Sequence, residues 1–229
     1  MATPTASRAT AVRRWGAGTA AIARLLVAAE APLTGVAIAD AVDVSQPRAS
    51  QVLKQLTDHE AVRATEHGYV GRPARLLDLY HRRARPLLVQ PETYWYSTRS
   101  PAEQVQRIAE FAAAHDAPVA VSADLAPDLL VPWRHPTLTI VYATKSLALD
   151  EAGLVPAEGR ADASIILRWT RDPTLLTPAP PWPTEVDDIP VTDPVQQWWD
   201  LLDLGGEDRV EAADRLRRAI LDRVITVTR

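Results

Sequence analysis

Apolar residues recur at helical spacing from the start of the patterned part of the chain. Ile22, Leu25, Leu26 and Ala29 stand at i, i+3, i+4 and i+7, which predicts an amphipathic helix from about Gly18, with Pro32 just past its end. Thr34 then occupies a cap position ahead of a short helix carrying Val36, Ala39 and Val42. Asp43-Val44 turns into Ser45, a second cap. Pro47 falls in the first turn of the helix that follows, where a missing N–H costs little. From Gln46 to about Glu60 the pattern is sharpest. Ala49, Val52, Leu53 and Leu56 make one face, and Pro47, Gln51, Lys54 and Asp58 the opposite one, flanked by Arg48, Ser50 and Gln55. The runs Ala61–Thr65 and Tyr69–Gly71, on either side of Glu66-His67-Gly68, predict a small hairpin. Leu76, Leu77, Leu79 and Tyr80 open a further helix that runs into Arg82, Arg83 and Arg85. Three short helices followed by a hairpin predict a winged helix-turn-helix.

The rest of the chain reads as a mixed sequence of strands and helices. Pro86 to Pro101, with Pro91 and the cluster Tyr94-Trp95-Tyr96, is the best candidate for a boundary, and its aromatics predict that it packs against something. Ala102 to His115 predicts a helix around Val105, Ile108 and Phe111. Val119–Ser122 predicts a strand, Ala123–Leu130 a short helix, Leu138–Tyr142 a strand, Ser146–Ala152 a short helix and Ser164–Trp169 another strand. The proline-rich stretch Thr170–Pro190 predicts largely irregular chain. Asp193 caps a helix with Pro194 at its first position, stopped by Gly205-Gly206. Glu207 and Asp208 open the last helix, whose far end holds Arg217, Arg218 and Arg223, in keeping with the helix dipole. The expected class is α+β, with an N-terminal arm over residues 1–17, a winged helix-turn-helix over 18–85, a linker over 86–100 and a C-terminal mixed α/β domain over 101–229 that ends in two helices.

Charge sharpens that division. The chain has a formal net charge of −4. Residues 1–90 hold 12 Lys/Arg against 7 Asp/Glu, a balance of +5, whereas residues 91–229 hold 13 against 22, a balance of −9. A basic head on an acidic body confines phosphate binding to the head. The absence of cysteine excludes disulfides, thiolate zinc sites and cysteine nucleophiles, and fits a reducing compartment. No apolar run marks a signal peptide or approaches the roughly 18 residues of a membrane span, so a cytoplasmic protein with no membrane partner is expected.

Candidate chemistry lies in the head. The helix from Gln46 is thin and polar on one side, as entry into the major groove, about 12 Å wide, requires. Ser45 and the amides at its N-terminus suit a backbone phosphate, and Thr34 and Gln46 lie at comparable helix starts. Gln51 suits an adenine edge, and Arg48 and Lys54 suit guanine or phosphate, with Pro47 and Ser50 beside them. Arg63, His67, Tyr69 and Arg72 belong to the hairpin and its flanks and are the candidate wing contacts. Enzyme chemistry finds no support. Histidines 59, 67, 81, 115 and 135 are scattered without ligand spacing, and no glycine-rich phosphate loop occurs. No cofactor and no metal are expected. Asp187-Asp188 reads as a solvated loop, and Trp198-Trp199 as core on an amphipathic helix.

The order of segments beyond the head is also informative. Val119–Ala126 (VAVSADLA) is followed by Val141-Tyr142, Gly153–Pro156 (GLVP) and the run ADASIIL over 161–167. Val191–Leu202 (VTDPVQQWWDLL), Gly205-Gly206 and Glu211-Ala212-Ala213 complete the series. This series resembles the AbiEi family of type IV toxin–antitoxin antitoxins and related actinobacterial transcriptional regulators, over most of residues 18–225. The resemblance implies an N-terminal domain that binds inverted repeats in its own promoter as a repressor. It also implies a C-terminal antitoxin-like domain that opposes a nucleotidyltransferase-like toxin. A stand-alone, ligand-responsive regulator of the MarR type and a winged helix used only for protein contacts remain open beside it. Oligomeric state is left open by the sequence.

Overall fold

A computed structural model describes residues 15–84, 91–133 and 135–225. The head comprises helices α1 (Ala17–Ala28), α2 (Gly35–Ala41) and α3 (Gln46–Asp58), the hairpin strands β1 (Val62–Thr65) and β2 (Gly68–Gly71), and helix α4 (Pro73–Arg83). Spacing fixes the buried faces. On α3 the residues withdrawn from solvent are Ala49, Val52, Leu53 and Leu56, the stripe expected from the pattern. Thr34 accepts a hydrogen bond from the Ala37 N–H at 3.2 Å and caps α2, whereas Ser45 holds the cap position of α3 with its hydroxyl unused there. The hairpin is in register from Val62 opposite Gly71 to Thr65 opposite Gly68, and Leu33 pairs with Tyr69 on the outer side of β2. Gly68 is needed at that crossing. Its φ is +127° and a Cβ would stand 2.5 Å from the Leu33 carbonyl oxygen.

The body is built on a five-stranded sheet with the order β4 (Val119–Val121), β5 (Thr139–Ala143), β7 (Ile165–Trp169), β3 (Glu92–Tyr96) and β6 (Val155–Pro156). β5 and β7 run parallel and the other neighbours antiparallel. Alternation along the central strands sends side chains to two cores. Val141, Ile165 and Leu167 meet Val105 and Ile108 of helix α5 (Pro101–Ala114) on one face. Ile140, Tyr142 and Ile166 face Val195, Trp198 and Trp199 of helix α7 (Pro194–Leu204) on the other. That second core also takes in Ile22, Leu26, Leu76 and Leu77 of the head and Leu216 and Ile220 of helix α8 (Glu207–Leu221). The class is therefore mixed α+β, and one apolar core runs from the head into the body. Helix α6 (Leu125–Leu130) and a small hairpin of β8 (Glu185–Val186) and β9 (Ile189–Pro190) complete the body.

Several expectations shift. The arm expected over 1–17 lies outside the described residues up to residue 14. Trp15 is already buried, its ring edge-on to Tyr80 with centroids 6.2 Å apart. Of the linker expected over 86–100, residues 86–90 lie outside the described residues, and Glu92–Tyr96 is strand β3, inside the sheet. Ser146–Ala152 forms turns rather than a helix. Leu147, Leu149 and Ala152 are buried by a compact turn that ends at Gly153 with φ +83°, and a helix would put Leu147 and Leu149, two residues apart, on opposite sides, so that both could not reach the same core. The proline-rich stretch is largely irregular, as expected, with short ordered pieces within it. A 3-10 turn covers Pro173–Leu175, and Asp187-Asp188, both at positive φ, make the two-residue turn of the β8–β9 hairpin. Trp198 and Trp199 are buried as expected.

Candidate nucleic-acid interface

The twist of α3 places Pro47, Ser50, Gln51 and Lys54 in solvent away from its buried stripe, with Asp58 exposed at the far end, whereas Ser45 and Gln46 are exposed because they stand at the open N-terminal end of the helix. At 1.5 Å per residue its 13 residues span about 20 Å, long enough to lie across a groove. Arg48 is half-buried and engaged. Its Nη1 donates to Gln51 Oε1 at 2.8 Å and its Nη2 to Thr19 Oγ1 of α1 at 3.1 Å, so it braces α3 against α1. The contact expected between Gln51 and an adenine edge needs both amide atoms. With Oε1 taken by Arg48, Gln51 presents its N–H donors, which suit acceptor atoms on a base edge. Lys54 and Ser50 extend freely from the same face.

The remaining sequence candidates divide by element. The hairpin follows the C-terminal end of α3, where the Ala61 N–H donates to the Leu56 carbonyl at 2.9 Å. Arg63 is exposed on β1, and His67 is exposed at the hairpin tip with Glu66 3.3 Å from its Nε2, so the tip carries an acid as well as a base. Tyr69 is half-buried against the head core and its backbone exchanges hydrogen bonds with Leu33 at 2.8 and 3.0 Å, which makes it structural. Arg72 is exposed at the start of α4 and its N–H donates to Ala61. Thr34 is exposed at the start of α2, with its hydroxyl already used by the cap.

A second constellation, inside the molecule, escaped the sequence reading. Arg24 of α1 is 4% exposed and reaches Asp193 at 2.6 Å, Asp172 at 2.7 Å, Thr174 at 2.6 Å and the Tyr80 hydroxyl at 3.1 Å. The Tyr80 hydroxyl donates to Gln196 Oε1 at 2.7 Å and Gln196 Nε2 to the Tyr142 hydroxyl at 2.9 Å. The Tyr142 hydroxyl in turn donates to Asp200 at 2.9 Å. Asp200 also accepts from Ser122 at 2.6 Å and from Arg168 at 2.8 Å, and Arg168 holds Glu92 and Asp203 at 2.9 Å each. One chain of hydrogen bonds thus runs from α1 through α4 and α7 to the sheet.

Burial sets the electrostatics of that chain. It pushes Asp200 up to about 6 against the pull of Arg168, and raises Asp193 against Arg24. It also raises Tyr80 and Tyr142, which therefore act as neutral donors. Burial works against the charge on Arg24 as well, but Tyr80, Asp172 and Asp193 outweigh it and hold the guanidinium above its ordinary value. Burial opposes the charge on Glu92 too, yet hydrogen bonds from Tyr94 and Arg168 keep it below the usual carboxylate range. Ser122 and the two tyrosines each spend their protons within the network, which acts as a clamp between head and body. A lone charge in an apolar run was the available signal: Arg24 among Ile22, Ala23, Leu25 and Leu26, Arg168 after Ile165–Leu167, and Asp200 between Trp199 and Leu201.

Among the described residues, no group of three or more His, Asp or Glu is placed to hold a metal ion, and no helix is long and apolar enough to cross a membrane. Compared with protein families, with curated proteins and with solved structures, the chain matches none.

Proposed function

We propose that this chain is a sequence-specific, double-stranded-DNA-binding transcriptional regulator whose head is a winged helix-turn-helix with α3 as its recognition helix. The observation that carries the reading is the two-sidedness of α3. Ala49, Val52, Leu53 and Leu56 are buried to the last atom or nearly so, while Pro47, Ser50, Gln51 and Lys54 stand in solvent away from them and Ser45 and Gln46 are exposed at the N-terminal end. The excess of basic residues in the first 90 positions supports it, because phosphate neutralisation supplies most of the affinity of such proteins. Gln51 and Lys54 read base edges, Arg48 positions Gln51, and Arg63 and Arg72 serve the wing. The protein acts by binding rather than by catalysis, as a repressor of its own promoter in the cytoplasm. The likeness of its segment order to the AbiEi family makes the body the part that opposes a nucleotidyltransferase-like toxin, which co-expression with the neighbouring gene tests.

Fluorescence anisotropy with the intergenic DNA upstream of the gene tests the head directly. Replacing Gln51 and Lys54 by alanine is expected to cost about 1–3 kcal/mol each, and the wild-type affinity is expected to fall steeply with salt. Unchanged affinity in the double variant overturns the assignment of this face. No salt-dependent affinity at all turns the head into a module for protein contacts.

A further inference from the structure

A cleft of about 680 Å³ opens between α4 and α7, well within the roughly 300–1,000 Å³ of small-molecule sites. Arg75, Leu79 and Arg82 line it from α4 at i, i+4 and i+7, one face of the helix, with Arg83 beside them. Trp199 and Leu202 line it from α7. Leu79 and Trp199 are each 4% exposed and form an apolar floor.

The charge on this cleft is uncompensated. Arg24, Arg160, Arg168, Arg209, Arg215 and Arg217 each hold a carboxylate within 4 Å. Among the described residues, no hydrogen bond or ion pair engages the side chains of Arg82 and Arg83. Arg75 only touches the His59 carbonyl, at 3.5 Å. The carboxylate in the lining, Asp203, is already bound to Arg168 at 2.9 Å and to Arg160 at 3.5 Å. Three guanidiniums therefore surround an apolar floor with nothing anionic left to satisfy them, an arrangement that calls for an anion carrying a flat apolar group.

We propose that this cleft binds a small aromatic anion, with its phosphate or carboxylate held by Arg75, Arg82 and Arg83 and its ring lying over Leu79, Trp199 and Leu202. A DNA phosphate would meet the same arginines but has no use for the apolar floor, so the geometry favours a small molecule. His59, the residue just past the end of α3, also lines the cleft, so an occupant touches the head and the body at once. The site does not depend on what the exposed face of α3 binds.

Titration calorimetry of the full chain tests this with phenyl phosphate, benzoate, inorganic phosphate and benzyl alcohol. One equivalent of phenyl phosphate is expected to bind with Kd of about 1 mM or tighter. Inorganic phosphate and benzyl alcohol, each lacking half of the recognised chemistry, are expected to bind at least about tenfold more weakly. Benzoate decides whether a carboxylate serves as well as a phosphate. R82Q/R83Q is expected to lose about tenfold in phenyl phosphate affinity, R82K/R83K to keep part of it, and L202Q to weaken phenyl phosphate but not inorganic phosphate. Arg82 is exposed and Arg83 half-buried, with no hydrogen bond or ion pair to either side chain among the described residues, so both double variants should melt close to wild type. Several results would overturn the proposal: no saturable binding of phenyl phosphate or benzoate, binding unchanged in R82Q/R83Q, or inorganic phosphate binding as tightly as phenyl phosphate. A loss of duplex DNA affinity in R82Q/R83Q without any aryl-anion binding would also overturn it, reassigning these cations to the DNA backbone.

Discussion

The outer face of α3 and the clamp between head and body use similar residue types to opposite ends. On α3, Ser50 and Lys54 stand in solvent, and the side-chain bonds on that helix are those of Arg48 to Gln51 and Thr19. In the clamp, Arg168 is 1% exposed and meets three carboxylates within 2.9 Å, and Arg24 meets two within 2.7 Å. Water satisfies the first set at little cost, so a partner can displace it. The second set has lost its water, and each charge stands only because its partners stand. A charge kept in solvent is available for binding, and one taken into the core is committed to holding the fold.

The sharpest way to break that contrast is to remove one member of the clamp. R24A leaves Asp172 and Asp193 buried without their cation, and a loss of about 3–5 kcal/mol in urea unfolding is expected. R168A should do the same at the other end of the chain of bonds. A loss below about 1 kcal/mol in both would mean that water replaces the guanidinium and that the clamp is not dry.

A smaller effect tests whether the clamp is one unit. Y80F removes the donor to Gln196 and Y142F the donor to Asp200, each at an expected cost of about 1–3 kcal/mol. Gln196 lies between the two hydroxyls, so the double variant should fall short of the sum by at least about 0.5 kcal/mol. Strict additivity would show two separate sites.

The difference between the two regions also explains what the sequence made legible. The reading of α3 came from period and caps alone, because burial on a helix repeats every turn and the pattern is written within 13 residues. The clamp pairs Arg24 with Asp172 across 148 positions and Tyr80 with Gln196 across 116, and no local pattern encodes a partner so far away. Strand β3 was missed for a third reason. Glu92–Tyr96 alternates weakly, is half-buried, and stands between Pro91 and Pro101, so proline spoke for a linker where pairing with β7 and β6 decided for a strand. Gln51 was rightly placed on the exposed face, but its bond to Arg48 depended on side-chain conformation, which spacing does not fix.

Acid sharpens the comparison further. Asp200, pushed up to about 6 by burial from a usual 3.8, takes up its proton in the folded chain before the unfolded one does. Its contribution to stability is therefore fully present below about 3.8 and lost as pH rises through about 6, and Asp193 shifts in the same sense. Glu92 runs the other way, losing its contribution as pH falls through its lowered value. D200N removes the first of these. Wild type should gain stability relative to D200N as pH falls from about 7 to about 5, read from urea midpoints. A constant difference across that range would mean that Asp200 stays ionised throughout.

The smallest effect is expected where the sequence was clearest. Lys54 has no partner to strand and no core to open, so K54A should leave the unfolding free energy within about 0.5 kcal/mol of wild type. The same change should cost about tenfold or more in affinity for the upstream DNA. R24A, assayed where it remains folded, should bind that DNA as wild type does, because no part of Arg24 reaches the α3 surface. The two substitutions then separate cleanly, one silent in stability and the other silent in binding. If K54A instead costs more than about 1 kcal/mol of stability, the outer face of α3 is packed against something in the folded protein, and the division between available and committed charge fails at the helix that defines it.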